Sequence, residues 1–570
     1  MNADIQPIPR QFLPAQFEIT DWTTLEPYFK NLTDRDINNL QQLQQWLKDL
    51  SELEAVVSEE MCWRQIKMTC DTENKELSES FNSFMMEIQP HWRSYTDILN
   101  RKLVDCPYTA ELKDSAFSTY LRNIKKNISL FREENIPLLS DLGIEAQQFG
   151  VINGKMLVEI DGKEYTLQQA ARFLEDPDRQ LREKVYRKIW DRRMEDKDQL
   201  DQLFNSLLQK RNQVALNAGF ANYRDYCFRE LGRFDYNSED CFQFHEAVKK
   251  YVLPIADDIY RKKKARLHLD DFRPWDVDAE PAGTRPLKPF STGTDLLQKT
   301  ILCLDRLDPF FADCLRKMEE WKRFDLESRK GKAPGGYNCP LPETGAPFIF
   351  MNAAGTLNDV VTLVHEGGHA VHSFLAHPLP LTGYKEYPTE FAEVASMSME
   401  LFSMNEWDVF FDNEEELKRA RELQLERVIT VLPWIATIDK FQHWIYENPA
   451  HTSAERTEQW NQILNEFTPS TLNTDGLESY RSHNWQRQLH LFEVPFYYIE
   501  YGIAQLGAIG MWQQFQKNKN QALSNYKQAL SLGGTRPLPQ LFEAAGLKFD
   551  FSPGYIKELM LFMNEELKKI

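Results

Sequence analysis

His365, Glu366 and His369 stand in the order His-Glu-x-x-His, inside Val364-His365-Glu366-Gly367-Gly368-His369. At about 100° per residue the two histidines fall roughly 40° apart and one turn up the same helical face, so both imidazoles can reach one ion. Neutral imidazole suits zinc. Glu366 projects from the other side of that face, where it can stand beside an ion without being used as a ligand. Such a set points to hydrolysis. The metal lowers the pKa of water toward about 7 and polarises a carbonyl, while Glu366 takes up the proton as general base.

A catalytic zinc needs a third protein ligand. His372, three residues beyond His369, would strain to join both histidines on one ion and is read as supporting the site from behind or as core. His377 to Pro388 is rich in turn residues and can reverse the chain. A second helix is expected from about Thr389, carrying Glu390, Glu393 and Glu400. Glu393 and Glu400 share a face, and spacing does not choose between them. The motif helix itself should open at Thr356-x-x-Asp359 with a capping box. Leu357, Val364, Gly368, Val371 and Leu375 give it an apolar stripe. Gly367 and Gly368 each cost the helix about 1 kcal/mol relative to Ala, so a neighbouring backbone is expected to approach there.

The elements that must position this site are mostly helical. Ile37, Leu40, Leu43, Leu47 and Leu50 recur at three- and four-residue steps behind a Thr33-x-x-Asp36 start signal, and Phe81 to Trp92 repeats the pattern. Phe149 to Tyr165 is a β island, where Asn153-Gly154 and Asp161-Gly162 read as two hairpin turns, and Thr166-x-x-Gln169 restarts a helix. Asp270 to Lys288 reads as a surface excursion. Lys330 to Pro347 reads as irregular, followed by a short strand at Phe348 to Phe350.

At 570 residues the chain can bury a large core. Its formal charge of −19, from 67 basic and 86 acidic residues, argues against nucleic acid. No apolar run approaches the roughly 20 residues a membrane-spanning helix needs, and Met1 to Pro7 carries neither a basic nor an apolar leader. The eight cysteines are scattered and read as reduced thiols, so a cytoplasmic location is expected.

Three ordered motifs resemble the thimet oligopeptidase and oligoendopeptidase F family of zinc peptidases, most closely its oligoendopeptidase F branch. They are Gly345-Ala-Pro-Phe-Ile-Phe-Met-Asn352, then His365-Glu-Gly-Gly-His-Ala-Val-His372 with Glu393-Val-Ala-Ser396 and Glu400, then His490-Leu-Phe-Glu-Val-Pro-Phe-Tyr-Tyr-Ile-Glu-Tyr-Gly502. The resemblance implies a mainly α, clam- or bowl-shaped zincin with a small β component and a deep central channel. It would comprise an N-terminal helical lobe with the hairpin island, residues 1–185, and a catalytic domain, residues 186–570. It implies one zinc per chain, Glu393 as third ligand and Glu400 holding the ligand shell. His490 and Tyr501 would stabilise the tetrahedral intermediate. Tyr497 and Tyr498 would contact substrate, and Gly335, Gly336 and Tyr337 would lie near an edge strand that receives the peptide backbone. Ile499 breaks an alternation of tyrosines seen in relatives. On a helix Tyr498 and Tyr501 share a face, which favours them over Tyr497, a candidate core aromatic. Many relatives carry a bulkier residue at the place of Gly367.

The expected activity is endopeptidase cleavage of short peptides. A zinc carboxypeptidase or dipeptidyl carboxypeptidase of similar build is the alternative, needing a cation such as Arg481 or Arg487 for the substrate carboxylate. A peptide-binding protein with a vestigial metal site would be expected to have lost Glu366.

Overall fold

The computed structural model describes residues 8–281, 283–329 and 331–570. Met1 to Pro7, Ala282 of the excursion and Lys330 of the irregular segment lie outside the described residues. Among the described residues helices dominate, and the strands form two small sheets. Strands β1 (Leu157–Ile160) and β2 (Lys163–Thr166) form an antiparallel hairpin. Strands β3 (Phe324–Glu327), β4 (Tyr337–Cys339) and β5 (Phe348–Ala353) form the second sheet in the order β3-β5-β4. There β3 runs parallel and β4 antiparallel to β5.

One local expectation holds and three change. Asp161, at φ 51°, and Gly162, at φ 80°, form the hairpin turn. Asn153-Gly154 instead ends the helix Gln148–Gly154, where the Asn153 amide donates to the Phe149 carbonyl at 2.9 Å. No strand precedes it, so the island holds one hairpin rather than two. Thr33 lies inside the helix Trp22–Asp34, and the next helix, Leu40–Cys70, is capped by Asn39 accepting from the Gln42 N–H. The Asp270 to Lys288 stretch is irregular yet anchored, because Phe272, Trp275 and Asp276 are buried. Arg179 and Arg182 both donate to the Asp276 carboxylate.

Among the described residues two large hydrophobic cores share the molecule, with a small third cluster of Ile66, Cys339, Leu341, Phe348 and Phe350. One gathers residues from Leu13 to Ile124 with Leu381 and Tyr384, and the other begins at Leu130 and runs to the C-terminus. Val158, Ile160 and Leu167 of the hairpin region belong to the larger core.

The element that positions the chemistry is the helix Leu357–Ala376, which follows β5 after a short turn. Its Thr356 and Asp359 make the expected capping box. On one side it meets Leu304 and Leu315 at Gly367, where an added Cβ would sit at 3.8 Å or more. This is ordinary contact, so Gly367 is not required by a close approach. Gly368 is. A Cβ there would lie 2.6 Å from the Ser396 Cα and 2.8 Å from the Ala395 carbonyl oxygen. Both atoms belong to the helix Thr389–Ser403. One missing methyl lets the two backbones touch, and that contact presents Glu393 to the histidines.

Candidate active site

His365 and His369 project from the motif helix with rings 4.9 Å apart. Glu393 reaches them from the neighbouring helix, with Oε2 3.3 Å from His365 Nε2 and Oε1 3.8 Å from His369 Nε2. Ligand atoms of the three residues all lie within 4.8 Å of one another, a spacing one ion can gather. Two of the three, His365 and Glu393, are held from behind. His365 Nδ1 donates to Glu400 Oε1 at 2.7 Å; burial opposes charge on this ring, but its hydrogen bonds to Glu393 and Glu400 raise its pKa well above the ordinary value, so an ion at Nε2 would take the place of a proton. Glu400 accepts in turn from Gln424 Nε2 at 2.8 Å. Glu393 accepts from the Tyr497 hydroxyl at 2.6 Å and from Ser396 Oγ at 3.2 Å.

The charges suit a cation. Burial opposes ionisation of Glu393, but His369 and His365 beside it hold its carboxyl down at about 2. Burial drives His369 to about 4, so its imidazole is neutral and able to coordinate. Burial also raises Glu366 to about 7, and its Oε2 is buried without a hydrogen-bond partner among the described residues. A dication beside it would act in the opposite sense, favouring the carboxylate. An orphaned acceptor next to a three-ligand set is what a general base needs before substrate and water arrive.

Facing them, His490 and Tyr501 close a cavity of about 290 Å³ that also holds His365, Glu366, Glu400 and Tyr498. His490 Nε2 lies 3.1 Å from the Tyr501 hydroxyl. The tautomer of His490 follows from its neighbours. Trp434 Nε1 can only donate, and it lies 3.2 Å from Gln488 Oε1, which also accepts from the Tyr498 hydroxyl at 2.9 Å. The other end of that amide, Nε2, must therefore donate to His490 Nδ1 at 2.8 Å. The His490 proton then sits on Nε2, facing Tyr501 and the cavity. Burial keeps this ring neutral by pushing it down to about 4.

A profile described as Peptidase family M3 matches residues 172–561, and one described as the Peptidase M3 N-terminal domain matches residues 12–131. The chain belongs to peptidase family M3. It is similar to an oligoendopeptidase F homolog of Borreliella burgdorferi, 24% identical over 459 residues, covering 76% of this chain and 73% of the relative. It is likewise similar to the oligopeptidase PepF of Bacillus subtilis, 24% identical, covering 75% of this chain and 64% of the relative. Among solved structures, an oligoendopeptidase F superposes with a TM-score of 0.93 at 27% identity, covering 98% of this chain and 99% of that one. PZ peptidase A with an inhibitor superposes with a TM-score of 0.92 at 26% identity, over the same shares of the two chains. The chain is thus a metallopeptidase, with a mainly helical zincin fold.

In this M3 peptidase the remaining site candidates sort by position. Strand β4 is an edge strand, and its Asn338 donates from Nδ2 to the Glu366 carbonyl at 3.2 Å, tying that edge to the motif helix. Gly335, at φ 96°, and Gly336 lead into it. The Tyr337 side chain does not join the cavity. It stacks on Phe350 at 4.8 Å and shares a 2.6 Å hydrogen bond with Thr69, so only its backbone is offered. His372 is also not brought to the ligands. It is fully buried, stacked on Tyr387 at 3.5 Å, and neither ring nitrogen has a hydrogen-bond partner among the described residues. Its position three residues past His369 turns it into the core. Tyr497 is more than a core aromatic, because its hydroxyl is spent on Glu393. Glu390 faces away, accepting from Tyr236 at 2.7 Å. Arg481 is held by Thr474 and Asn465, and Arg487 lies over the Trp434 ring at 4.6 Å.

Gln488, Trp434, Gln424 and Ser396 escaped the sequence reading as site residues. Only Ser396 lay within a recognised motif, and nothing in the spacing of the other three ties them to the histidines.

Proposed function

We propose that this metallopeptidase is a zinc-dependent endopeptidase of short peptides, holding one zinc per chain through His365, His369 and Glu393. The observation that carries the reading is the convergence of those three side chains on one point, with Glu366 unpartnered beside them. When bound, the zinc supplies an acidified water and a polarised scissile carbonyl. Glu366 accepts the water proton and hands it to the leaving amine. His490, donating from Nε2, and Tyr501, donating its hydroxyl, meet the charge that develops on the carbonyl oxygen, at about 3–4 kcal/mol for each well-placed donor. Glu400 and Tyr497 orient the ligand residues, and the edge of β4 with Gly335 and Gly336 receives the substrate backbone.

The cavity at the site shares Val361, Gln424 and Arg427 with a larger one of about 530 Å³, which together suit an extended peptide. All eight cysteines are free thiols, in keeping with a reducing compartment such as the cytoplasm. No helix among the described residues is long and apolar enough to cross a membrane.

A peptide blocked at both termini tests the assignment. Cleavage of an internal bond is the expected result. Hydrolysis only of the matching peptide with a free C-terminus would move the reading to a carboxypeptidase.

A further inference from the structure

Away from the cleft, two helices face each other with the same side-chain spacing. The helix Ser238–Ala247 carries Cys241 and His245 one turn apart, and the helix Glu414–Glu447 carries Asp439 and His443 in the same relation. Ligand atoms of Cys241, Asp439 and His443 lie within 4.8 Å of one another. His443 Nε2 is 3.4 Å from Asp439 Oδ2, and His245 Nε2 is 2.8 Å from the same oxygen. The group is sealed. Cys241 and Asp439 are 0% exposed, His245 1% and His443 2%, and Phe228, Phe242 and Phe496 pack around the His443 ring.

Such a cluster is costly as it stands. A carboxylate without solvent needs a compensating cation and a full set of donors. The nearby Arg233 is committed to Glu500 and to the Phe496 carbonyl. Asp439 Oδ1 and His443 Nδ1 lack hydrogen-bond partners among the described residues, and His443 Nε2 has only the 3.4 Å approach to Asp439 Oδ2. One divalent ion with a thiolate, a carboxylate and a neutral imidazole sums to zero charge, which a low-dielectric interior favours, and it gives the carboxylate and one ring nitrogen of His443 a partner.

We propose that Cys241, Asp439 and His443 form a second, structural metal site for zinc or a similar borderline dication. His245 donates to Asp439 and orients it, and the unpartnered Asp439 Oδ1 is available as the fourth donor. Loading releases the Cys241 thiol proton to solvent as the sulfur–metal bond forms. Complete burial excludes substrate, so the site is structural rather than catalytic. It pins the shorter helix to the long one, whose Gln442 Oε1 accepts from the Phe496 N–H at 2.5 Å, just ahead of Tyr497 and Tyr498.

Cobalt(II) tests this in the full chain carrying His365→Ala and His369→Ala, which silences the cleft. The cleft donors contain no sulfur, so a thiolate-to-cobalt charge-transfer band in the near ultraviolet reports on a cysteine ligand. The expected result is one equivalent of cobalt with that band, and loss of both on adding Cys241→Ser or His443→Gln. A folded double variant that takes up no stoichiometric cobalt overturns the proposal, and so does a band that survives Cys241→Ser. Should the added substitutions unfold the chain, stoichiometry and band in the double variant decide. Peptide hydrolysis by the unaltered chain reports on the cleft independently.

Discussion

At the scale of single residues, the proposed base and the proposed third ligand are both glutamates, and their surroundings differ. Glu366 has a free buried oxygen, whereas Glu393 is shared among two histidines, a tyrosine and a serine. Glu366→Gln should therefore retain metal and lose turnover by several orders of magnitude. Glu393→Ala should lose the metal from the cleft, and elemental analysis beside initial rates distinguishes the two. The oxyanion side permits a finer test. Tyr501→Phe removes one hydroxyl and almost no volume, so turnover should fall roughly a hundredfold with KM little changed. Gln488→Met keeps most of the volume but removes the amide that fixes the His490 tautomer. Turnover should fall about tenfold at unchanged KM, and imidazole nitrogen shifts should show the Nε2–H form of His490 giving way to a mixture. Retention of a single tautomer would mean that Gln488 only packs.

At the scale of elements, two adjacent glycines in one helix have different reasons to be there. Gly368→Ala sets a Cβ into the Ser396 backbone and should cost about 1–3 kcal/mol, spreading the two helices and weakening metal retention. Gly367→Ala meets only leucine methyls at ordinary distance, so it should be neutral or stabilising by up to about 1 kcal/mol. Thermal melts with metal analysis check both, and equal behaviour of the two variants would reject the close-approach account. The segment ahead of Tyr498 is held differently. Phe496 sits at φ 64°, a conformation that a bulky residue adopts only under constraint. Arg233 donates to its carbonyl at 2.5 Å, and Arg211 donates to the carbonyls of Leu491 and Phe492. These buried guanidinium anchors aim the His490 to Tyr501 motif.

At the scale of the whole molecule, the core is built without the cleft metal. The larger hydrophobic cluster runs continuously through both the hairpin region and the catalytic helices. Mild chelation that empties the cleft should abolish hydrolysis while most helical circular dichroism remains. The neighbouring cavities of about 290 and 530 Å³, which share Val361, Gln424 and Arg427, suit a short peptide. Unstructured short peptides should be cut, and a large denatured protein such as casein should be spared. Rapid digestion of casein would show an open groove instead.

Sequence alone determined the parts of this protein that depend on local periodicity. The turn of a helix places His365 beside His369, and the capping box opens that helix at Thr356. The Thr389–Ser403 helix and the β5 strand were legible for the same reason, since their signals lie within a few residues of one another. The Asn153-Gly154 turn and the Thr33 cap were misread because a dipeptide signal is overridden by the structure that flanks it. Tertiary structure alone decided which glutamate meets the histidines, through a helix crossing that Gly368 permits but spacing does not specify. It also turned His372 into the core and gave Tyr497 to Glu393. The Trp434–Gln488–His490 relay joins Trp434 to Gln488 across 54 positions, and the Cys241–Asp439–His443 cluster joins Cys241 to His443 across 202. Such contacts are set by packing geometry, which no local pattern encodes.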